Sequence, residues 1–286
     1  MRIVLLTNDN FFSYTVLEDF LKQRKDDIKL IVFSSALVGK KSLFASVAWL
    51  LRETGFRHTA FKLLVYGVFK LMRVACNLLP FFPNHYSTFI WAKRQKMPFV
   101  ISPLLNSEDV VERIRKLEPD LIVSVSMNQI AKKEILEMPT HRCINVHCAP
   151  LPRYGGMSPY VWALANNESH SAATIHYMDE GLDSGDIIVQ EGVKVMKNES
   201  AFSLFYRCCL QAAELLQRVV RDIEANRATS YAQDMDNKSY FSWPTKDCIT
   251  NLRLNGYSLA RSSDFLFALF KRKPRINCTL SSYRGE

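Results

Sequence analysis

The sequence has no C-x-x-C pair, no signal-peptide pattern, no internal repeat and no low-complexity tract. Seven cysteines without such a pair disfavour a zinc site or a thioredoxin-like redox centre, and we expect them to stay reduced in a cytosol. The chain opens directly on a strand-like run, so we expect no cleaved leader. A cytoplasmic location follows, with peripheral attachment to the inner face of a membrane as an alternative.

Acidic residues are almost missing from residues 40–96. This stretch holds ten Lys or Arg and a single acid, Glu53, so it carries the whole net charge of +9 of the 286-residue chain. Residues 42–52 and 60–79 both have the pattern of amphipathic helices. In the second helix we expect an apolar face of Phe61, Leu64, Val65, Val68, Phe69, Met72 and Cys76, opposite Lys62, Tyr66, Lys70, Arg73 and Asn77. The cations interrupt the apolar run, so it is a poor membrane span.

Two interpretations of this basic segment stay open. A basic amphipathic helix edged with aromatic residues is typical of segments that lie on an anionic membrane surface. A helical cap that packs on the core of the chain explains the same pattern. Nucleic-acid binding is a third, disfavoured alternative.

Apolar periodicity outside this segment predicts an α/β fold. Strands are expected at 2–7, 28–34, 99–103, 120–126, 143–147, 172–178 and 186–195, and helices at 12–24, 107–117 and 199–226, with one more ending at Met138. The opening strand, helix and strand imply a Rossmann-like, mostly parallel sheet, interrupted by a helical insertion. Ligands bind such sheets beyond the carboxyl ends of their strands. No G-x-G-x-x-G follows the first strand, so a dinucleotide fingerprint is absent.

Three polar side chains are the candidate catalytic group. Asn145 and His147 lie two residues apart on a predicted strand and therefore share a face. Asp183 follows 38 residues after Asn145, in a loop at 179–185 that could return to them. An amide and an imidazole can stabilise an oxyanion, and a carboxylate can orient the imidazole and move a proton, which suits acyl transfer to an amine. We expect no metal, and treat His141 and His176 as strand or loop residues.

Four motifs with consistent spacing surround these residues. They are N-V-H at 145–147, L-P-x-Y-x-G-x-x-P at 151–159, W-A-L-A-N-N-E at 162–168 and T-I-H-x-M-D-E-G-L-D-S-G-D-I-I-x-Q at 174–190. Together they resemble the folate-dependent formyltransferases, a family that includes methionyl-tRNA, glycinamide-ribonucleotide and sugar N-formyltransferases. The resemblance is strong here and weaker over residues 1–245. It implies a sheet of the formyltransferase type, 10-formyltetrahydrofolate as co-substrate, and Asn145, His147 and Asp183 as the catalytic triad.

The same resemblance implies where the folate pterin binds. In the family, backbone groups after the central strand bind it, which here are Met127, Asn128, Gln129 and Ile130. The loop before the catalytic aspartate assists, which here is Asp179, Glu180, Gly181 and Leu182. Two departures concern the acceptor: Gly155 stands where the family often has Arg, and residues 8–10 lack the glycines of a phosphate-binding loop. A glycinamide-ribonucleotide acceptor is therefore disfavoured.

The expected organisation is a catalytic domain at 1–245, interrupted by the insertion at 40–96, and a short extension at 246–286. That extension is too short for the C-terminal nucleic-acid-binding domain of methionyl-tRNA enzymes. An amino sugar, on a nucleotide or a lipid carrier, is the favoured acceptor, and a homodimer is left open. The alternatives are a tRNA-formylating enzyme, a formyltetrahydrofolate hydrolase, and a membrane-surface or nucleic-acid-binding module on an inactive formyltransferase scaffold.

Overall fold

A computed structural model describes residues 1–34, 43–78 and 86–270. The described strands are β1 (Ile3–Asn8), β2 (Ile28–Ser34), β3 (Phe99–Ser102), β4 (Leu121–Val125), β5 (Cys143–His147), β6 (Gly155–Gly156), β7 (His170–Tyr177), β8 (Ile187–Lys194) and β9 (Tyr240–Phe241). The α-helices are α1 (Phe11–Gln23), α2 (Leu43–Leu78), α3 (Thr88–Arg94), α4 (Glu108–Arg115), α5 (Lys133–Leu136), α6 (Pro159–Ala165), α7 (Ala201–Glu224), α8 (Lys246–Leu254) and α9 (Ser262–Phe270). The basic run at 271–275 and the end of the helix predicted to residue 79 lie outside these residues.

The main sheet has the strand order β3-β2-β1-β4-β5-β7-β8. The five neighbouring strands β3, β2, β1, β4 and β5 pair in parallel, whereas β7 and β8 are antiparallel to their neighbours. The central strands β1 and β4 are buried almost throughout, because helices cover both faces of the sheet. The prediction of a mostly parallel α/β sheet is confirmed.

Two helical layers cover the sheet. Helices α1 and α7 pack together on one face and share a core cluster with Leu5 and Val123. Helices α4 and α5 cover the other face, around Leu6 and Ile122.

Helix α1 begins where Asn10 and Ser13 form a capping box. Ser107 precedes α4, and its side chain makes no capping hydrogen bond. The helix predicted to reach Met138 is only the short α5, because Pro139 disfavours helical backbone just before it.

The insertion forms the long helix α2, which breaks at Gly55 (φ 79°, ψ 170°). Two helices were predicted, and this residue separates them, since a positive φ favours glycine. Phe61, Phe69 and Cys76 are buried in a cluster with Phe11 and Phe202 of the two covering helices, as the predicted apolar face requires. Leu64 was assigned to that face wrongly: it is exposed, because the buried stripe is narrower than the apolar pattern. No helix in the described ranges is long and apolar enough to cross a membrane.

Helices α8 and α9, which follow residue 245, pack on the body of the fold. Helix α8 lies against α6, whose last carbonyls, at Leu164 and Ala165, accept hydrogen bonds from Asn255 Nδ2. The Ser200 hydroxyl donates to Asp264, in the first turn of α9, at a separation of 2.6 Å. The short strands β6 and β9 pair in parallel and tie the loop after β5 to residues 240–241. The second, two-stranded sheet was not predicted from the sequence.

Candidate active site

The candidate catalytic side chains lie where β5 runs between a parallel and an antiparallel neighbour. Asn145 is opposite Ser124 of β4 and opposite His176 of β7. Two residues on, His147 is opposite Thr174. The shared face predicted for Asn145 and His147 therefore opens at the carboxyl edge of the sheet, where ligands bind α/β folds.

His176 orients the amide of Asn145. The ring Nδ1 of His176 lies 2.8 Å from the carbonyl oxygen of Tyr177, which can only accept, so Nδ1 carries the proton. Nε2 is then the acceptor for Nδ2 of Asn145, 3.1 Å away. Burial lowers the pKa of His176, in agreement with a neutral ring. The second N–H of Asn145 stays available for a substrate oxygen.

His147 is buried and held by a backbone group. Its Nε2 lies 3.0 Å from the carbonyl oxygen of Tyr154 and must donate to it. Nδ1 therefore faces Asp183, with 3.8 Å between Nδ1 and Oδ2. This separation is longer than a hydrogen bond, so Nδ1 is open to a group that enters between the two side chains, and it can donate to that group only when the ring is protonated.

Asp183 is the third residue of the candidate catalytic group. Its backbone is left-handed (φ 51°), and its Oδ2 accepts from the backbone N–H of Gly156 at 3.0 Å. Its other oxygen, Oδ1, lies 3.9 Å from Nε2 of His176. Burial alone would raise the pKa of Asp183, but His147 and the hydrogen bond from Gly156 outweigh it, so the pKa lies below its ordinary value. An ionised carboxylate next to an imidazole can stabilise positive charge and carry a proton.

The structure thus brings the three predicted catalytic residues together and adds His176. Sequence analysis missed His176 because it assigned that residue an ordinary strand role. The alternation of Thr174 and His176 along one strand face was a usable signal. It becomes informative only when the antiparallel register of β5 and β7 is known, and no local pattern gives that register.

The loop after β5 is fixed by the motif residues that follow it. Tyr154 donates from its hydroxyl to Glu168 at 2.7 Å and accepts from Nδ2 of Asn166 at 3.0 Å. Its ring stacks on Phe241 with centroids 5.2 Å apart. The L-P-x-Y and N-N-E motifs are therefore parts of one structure, which places the Tyr154 carbonyl against His147.

Gly156 is the position in this loop that needs glycine. Its φ is 95°, and a Cβ there would lie 2.3 Å from the carbonyl oxygen of Phe241. At the preceding position, Gly155, a Cβ would meet Ser239 and Asp183 only at 3.4 Å or more. A Cβ at residue 155 would thus make ordinary contacts, beside the Asp183 carboxylate.

The loop that carries Asp183 is held from both sides. Within it, Asp179 accepts from the Gly181 N–H at 3.1 Å and from the Ser184 hydroxyl at 2.8 Å. From outside, Gln233 donates to the carbonyl of Asp183 at 2.9 Å, and Lys238 donates to the carbonyl of Leu182 at 3.0 Å. Sequence analysis did not identify Gln233 or Lys238, which lie in a segment without regular periodicity.

The predicted folate-binding residues lie on two loops at the carboxyl edge of the sheet. Met127 packs against the core, and Gln129 uses its side chain to accept from the Leu105 N–H at 2.7 Å. Asn106 donates to the carbonyl of Ile130 at 2.8 Å, so the loops after β3 and β4 are joined. Leu104 and Ile130 on these loops are exposed, as are the other predicted folate residues Asp179, Glu180, Gly181 and Leu182. Exposed leucine and isoleucine side chains at this edge suit a flat aromatic ligand; Asn128 is half-buried beside them.

The insertion borders this edge. Arg73 of α2 pairs with Asp9, in the loop after β1, at 2.7 Å. Ser87 also donates to the Asp9 carboxylate, at 2.9 Å. The Lys62 ammonium donates to the Tyr160 hydroxyl at 3.1 Å and lies 5.5 Å from the ring centroid of Trp243. The loop after β1 thus holds a carboxylate that is already bonded to the insertion.

Within residues 1–34, 43–78 and 86–270, no group of three or more His, Cys, Asp or Glu side chains is arranged to hold a metal ion.

The sequence matches known proteins mainly in its central part. The model of the formyl transferase family matches residues 89–220. Methionyl-tRNA formyltransferase of Alkaliphilus oremlandii is 41% identical over 143 residues, which are 50% of this chain and 46% of that protein. The methionyl-tRNA formyltransferase of Clostridioides difficile is 40% identical over 133 residues. The chain spans about half the length of the curated relatives it matches.

Solved structures extend the likeness of the fold. An N-formyltransferase from Helicobacter canadensis, in complex with folinic acid and dTDP-3-aminofucose, superposes with a TM-score of 0.55 at 19% identity, over 85% of this chain and 71% of that one. Glycinamide ribonucleotide transformylase 1 from Symbiobacterium toebii gives a TM-score of 0.55 at 15% identity, over 79% and 89% of the two chains. The chain is thus similar in sequence to formyl transferases over residues 89–220, and its seven-stranded sheet has the fold of these solved structures.

Proposed function

We propose that this chain is an N-formyltransferase, which moves a formyl group from 10-formyltetrahydrofolate to a primary amine. One observation carries the proposal. Asn145, His147 and Asp183 converge at the carboxyl edge of β5, with an amide N–H and an imidazole nitrogen left to face a substrate. The match to the formyl transferase family at residues 89–220 supports the same reaction class.

The geometry supports a division of roles in formyl transfer. The acceptor amine attacks the formyl carbon, and the bond between that carbon and the folate nitrogen breaks. Negative charge develops on the formyl oxygen, where the second N–H of Asn145 and the Nδ1–H of a protonated His147 can stabilise it. No protein nucleophile is needed, because the substrate amine forms the new bond.

Asp183 is suited to the proton transfer. The attacking amine becomes more acidic as it bonds to carbon, and the folate nitrogen needs a proton to leave. A carboxylate whose pKa lies below its ordinary value is ionised at neutral pH and can accept from the amine side. The same charge stabilises a protonated His147 during the reaction. The proton taken from the amine is the one that the leaving nitrogen receives.

The folate is proposed to bind across the loops after β3 and β4 and the loop before Asp183. Support comes from the exposed Leu104, Ile130 and Leu182 at the site edge and from backbone groups of residues 127–130. The folate supplies the activated formyl group. The loops that hold it are fixed to each other by Gln129 and Asn106, so the slot needs little rearrangement.

For the acceptor we propose an amino sugar, presented on a nucleotide or a lipid carrier. The structural neighbour from Helicobacter canadensis holds a dTDP-linked amino sugar, and its fold covers 85% of this chain. A second candidate is methionyl-tRNA, which is supported by the two methionyl-tRNA formyltransferases that are 41% and 40% identical to this chain over 143 and 133 residues.

An acceptor panel tests the proposal. The protein and 10-formyltetrahydrofolate are mixed with nucleotide-linked amino sugars, with methionyl-tRNA, or with no acceptor, while tetrahydrofolate release is followed. We expect release that depends on an amino sugar and disappears in His147→Ala, while folate binding by calorimetry persists. Release with methionyl-tRNA alone would favour the second candidate, and equal release without acceptor would indicate a hydrolase. Absence of folate binding by the wild type would contradict the proposal as a whole.

A further inference from the structure

The outer face of α2 exposes an apolar row that nothing in the described chain covers. Its inner face is buried, but Leu63, Leu64, Leu71, Val74 and Leu78 all point outward. Leu71 is 72% exposed and Leu78 is 73% exposed. Their spacing of three, four and seven residues places them on one side of the helix. A soluble surface seldom gathers so many large aliphatic side chains in one row without a partner.

Exposed cations accompany this row, with almost no acids. Arg52, Arg57 and Lys70 of α2 are exposed. The single acid between residues 40 and 96, Glu53, lies beside Arg52 at 3.3 Å. Because the remainder of the chain is neutral, this helix and its flanks give the molecule its positive side.

A basic groove lies at the break in α2. It has a volume of about 310 Å³ and runs between residues 54–57 and helix α8. Arg57, Lys246 and Arg253 line it, and no acid does so among the residues that the structure describes. Phe56, at its edge, is 76% exposed. A groove of three cations next to an exposed aromatic ring fits a phosphate group that is attached to an apolar body.

Charge decides between the occupants of this surface. A second copy would place the same cations against each other across a two-fold interface, and the single acid of α2, Glu53, already lies beside Arg52. A nucleic acid would satisfy the cations but leave the leucine row in water. An anionic lipid surface satisfies both, since its phosphates meet the cations while the apolar side chains enter the acyl boundary.

We propose that the outer face of α2, with the groove between α2 and α8, binds the surface of an anionic membrane. The helix lies in the plane of the interface and does not cross it. The inner face stays packed on the protein, so the carboxyl edge of the sheet remains beside the membrane through the Arg73–Asp9 and Lys62–Tyr160 contacts. This proposal stands independently of the acceptor and of catalysis.

Vesicle flotation of the full chain tests it. We expect the protein to float with phosphatidylcholine vesicles that contain phosphatidylglycerol, to stay in solution with phosphatidylcholine alone, and to release as salt is raised. The pair Arg57→Gln and Lys246→Gln removes two cations and should lower the partition coefficient roughly tenfold. The pair Leu63→Ser and Leu71→Ser should lower it by a similar factor or more.

Matched variants keep the test specific. Lys29→Gln with Lys116→Gln removes the same charge from exposed positions on β2 and after α4, and Met196→Ser removes an exposed apolar side chain before α7. All these should float like the wild type. Absence of flotation with anionic vesicles would overturn the proposal, as would equal losses in the control variants. A dimer in sedimentation that Leu63→Ser and Leu71→Ser dissolve would assign the face to a second copy instead.

Discussion

The edge of the sheet at β5 and the helix α2 differ in how they present their side chains to a ligand or partner. At β5, the polar groups of Asn145, His147 and Asp183 are fixed by neighbours and backbone groups, so their orientation is set before a ligand enters. Along α2, one face is buried among aromatic rings, and the other faces solvent with leucines and cations. Preorganised hydrogen-bond donors can stabilise charge that develops on a bound substrate. An exposed apolar face can instead contribute binding free energy when a partner covers it.

The largest effect on stability is expected where the two faces of α2 differ. Phe69 is buried and stacks on Phe11 with ring centroids 3.8 Å apart. Phe69→Ala should lower the free energy of unfolding by about 3–5 kcal/mol, because it leaves a cavity between α2 and the core. Leu71→Ala, two residues on and exposed, should change it by less than about 0.5 kcal/mol. Urea denaturation of both variants measures this, and equal losses would show that α2 does not pack as described.

His176 tests whether the β5 edge is fixed by side-chain pairing. His176→Phe leaves a buried N–H of Asn145 without an acceptor, at a cost of about 1–3 kcal/mol in stability. It should also lower kcat by roughly ten- to a hundredfold, because the amide is no longer held in position. His176→Gln keeps an acceptor oxygen for Asn145 and should recover part of kcat. Steady-state kinetics with an unchanged KM for folate would separate positioning from a general loss of structure; equal kcat in the two variants would argue against it.

Gly156 and Gly155 test the backbone part of the same edge. Gly156→Ala strains a backbone with φ of 95° and forces a Cβ against the Phe241 carbonyl, so the N–H that bonds Asp183 must move. We expect a loss of about 1–3 kcal/mol in stability and a lower kcat. Gly155→Ala, where a Cβ makes ordinary contacts, should leave both nearly unchanged. Thermal unfolding and initial rates check this pair, and a comparable loss in both would place the strain elsewhere in the loop.

His58 on α2 gives the smallest effect, which depends on pH. Burial lowers the pKa of His58 to about 3, and neither ring nitrogen has a hydrogen-bond partner among the described residues. The unfolded chain, with an ordinary value near 6.5, takes up a proton in this range that the folded chain does not. Stability should therefore fall as pH drops below about 6.5, by up to about 1.4 kcal/mol per pH unit from this group.

His58→Leu should remove this part of the slope and leave stability at neutral pH equal or higher, since no hydrogen bond is lost. Urea denaturation at pH 7, 6 and 5 measures it. His176 contributes a slope of the same sign in both proteins, so the difference isolates His58. His170→Leu, which removes an exposed histidine, is the control. An unchanged slope in His58→Leu would mean that the ring is not buried as a neutral group.

The sequence predicts the elements of this fold and part of its site. Alternation along 143–147 places Asn145 and His147 on one face, and the motif spacing points to Asp183. The pairing of Asn145 with His176 could not be predicted, because it depends on how β7 lies against β5. The contacts of His147 with the Tyr154 carbonyl and of Asp183 with the Gly156 N–H involve backbone groups, which leave no residue pattern. In α2, the apolar pattern does not separate buried Phe69 from exposed Leu64, since both satisfy helical spacing.

The most direct test of the proposed chemistry is the turnover of Asn145→Ala. With saturating 10-formyltetrahydrofolate and the acceptor found in the panel, we expect kcat to fall by about 10²–10³, because one donor to the developing oxyanion is lost. Folate affinity by calorimetry should stay unchanged, and Asn251→Ala on the exposed face of α8 should turn over like the wild type. A wild-type kcat in Asn145→Ala would contradict the assignment of the β5 edge as the place where the formyl group is transferred.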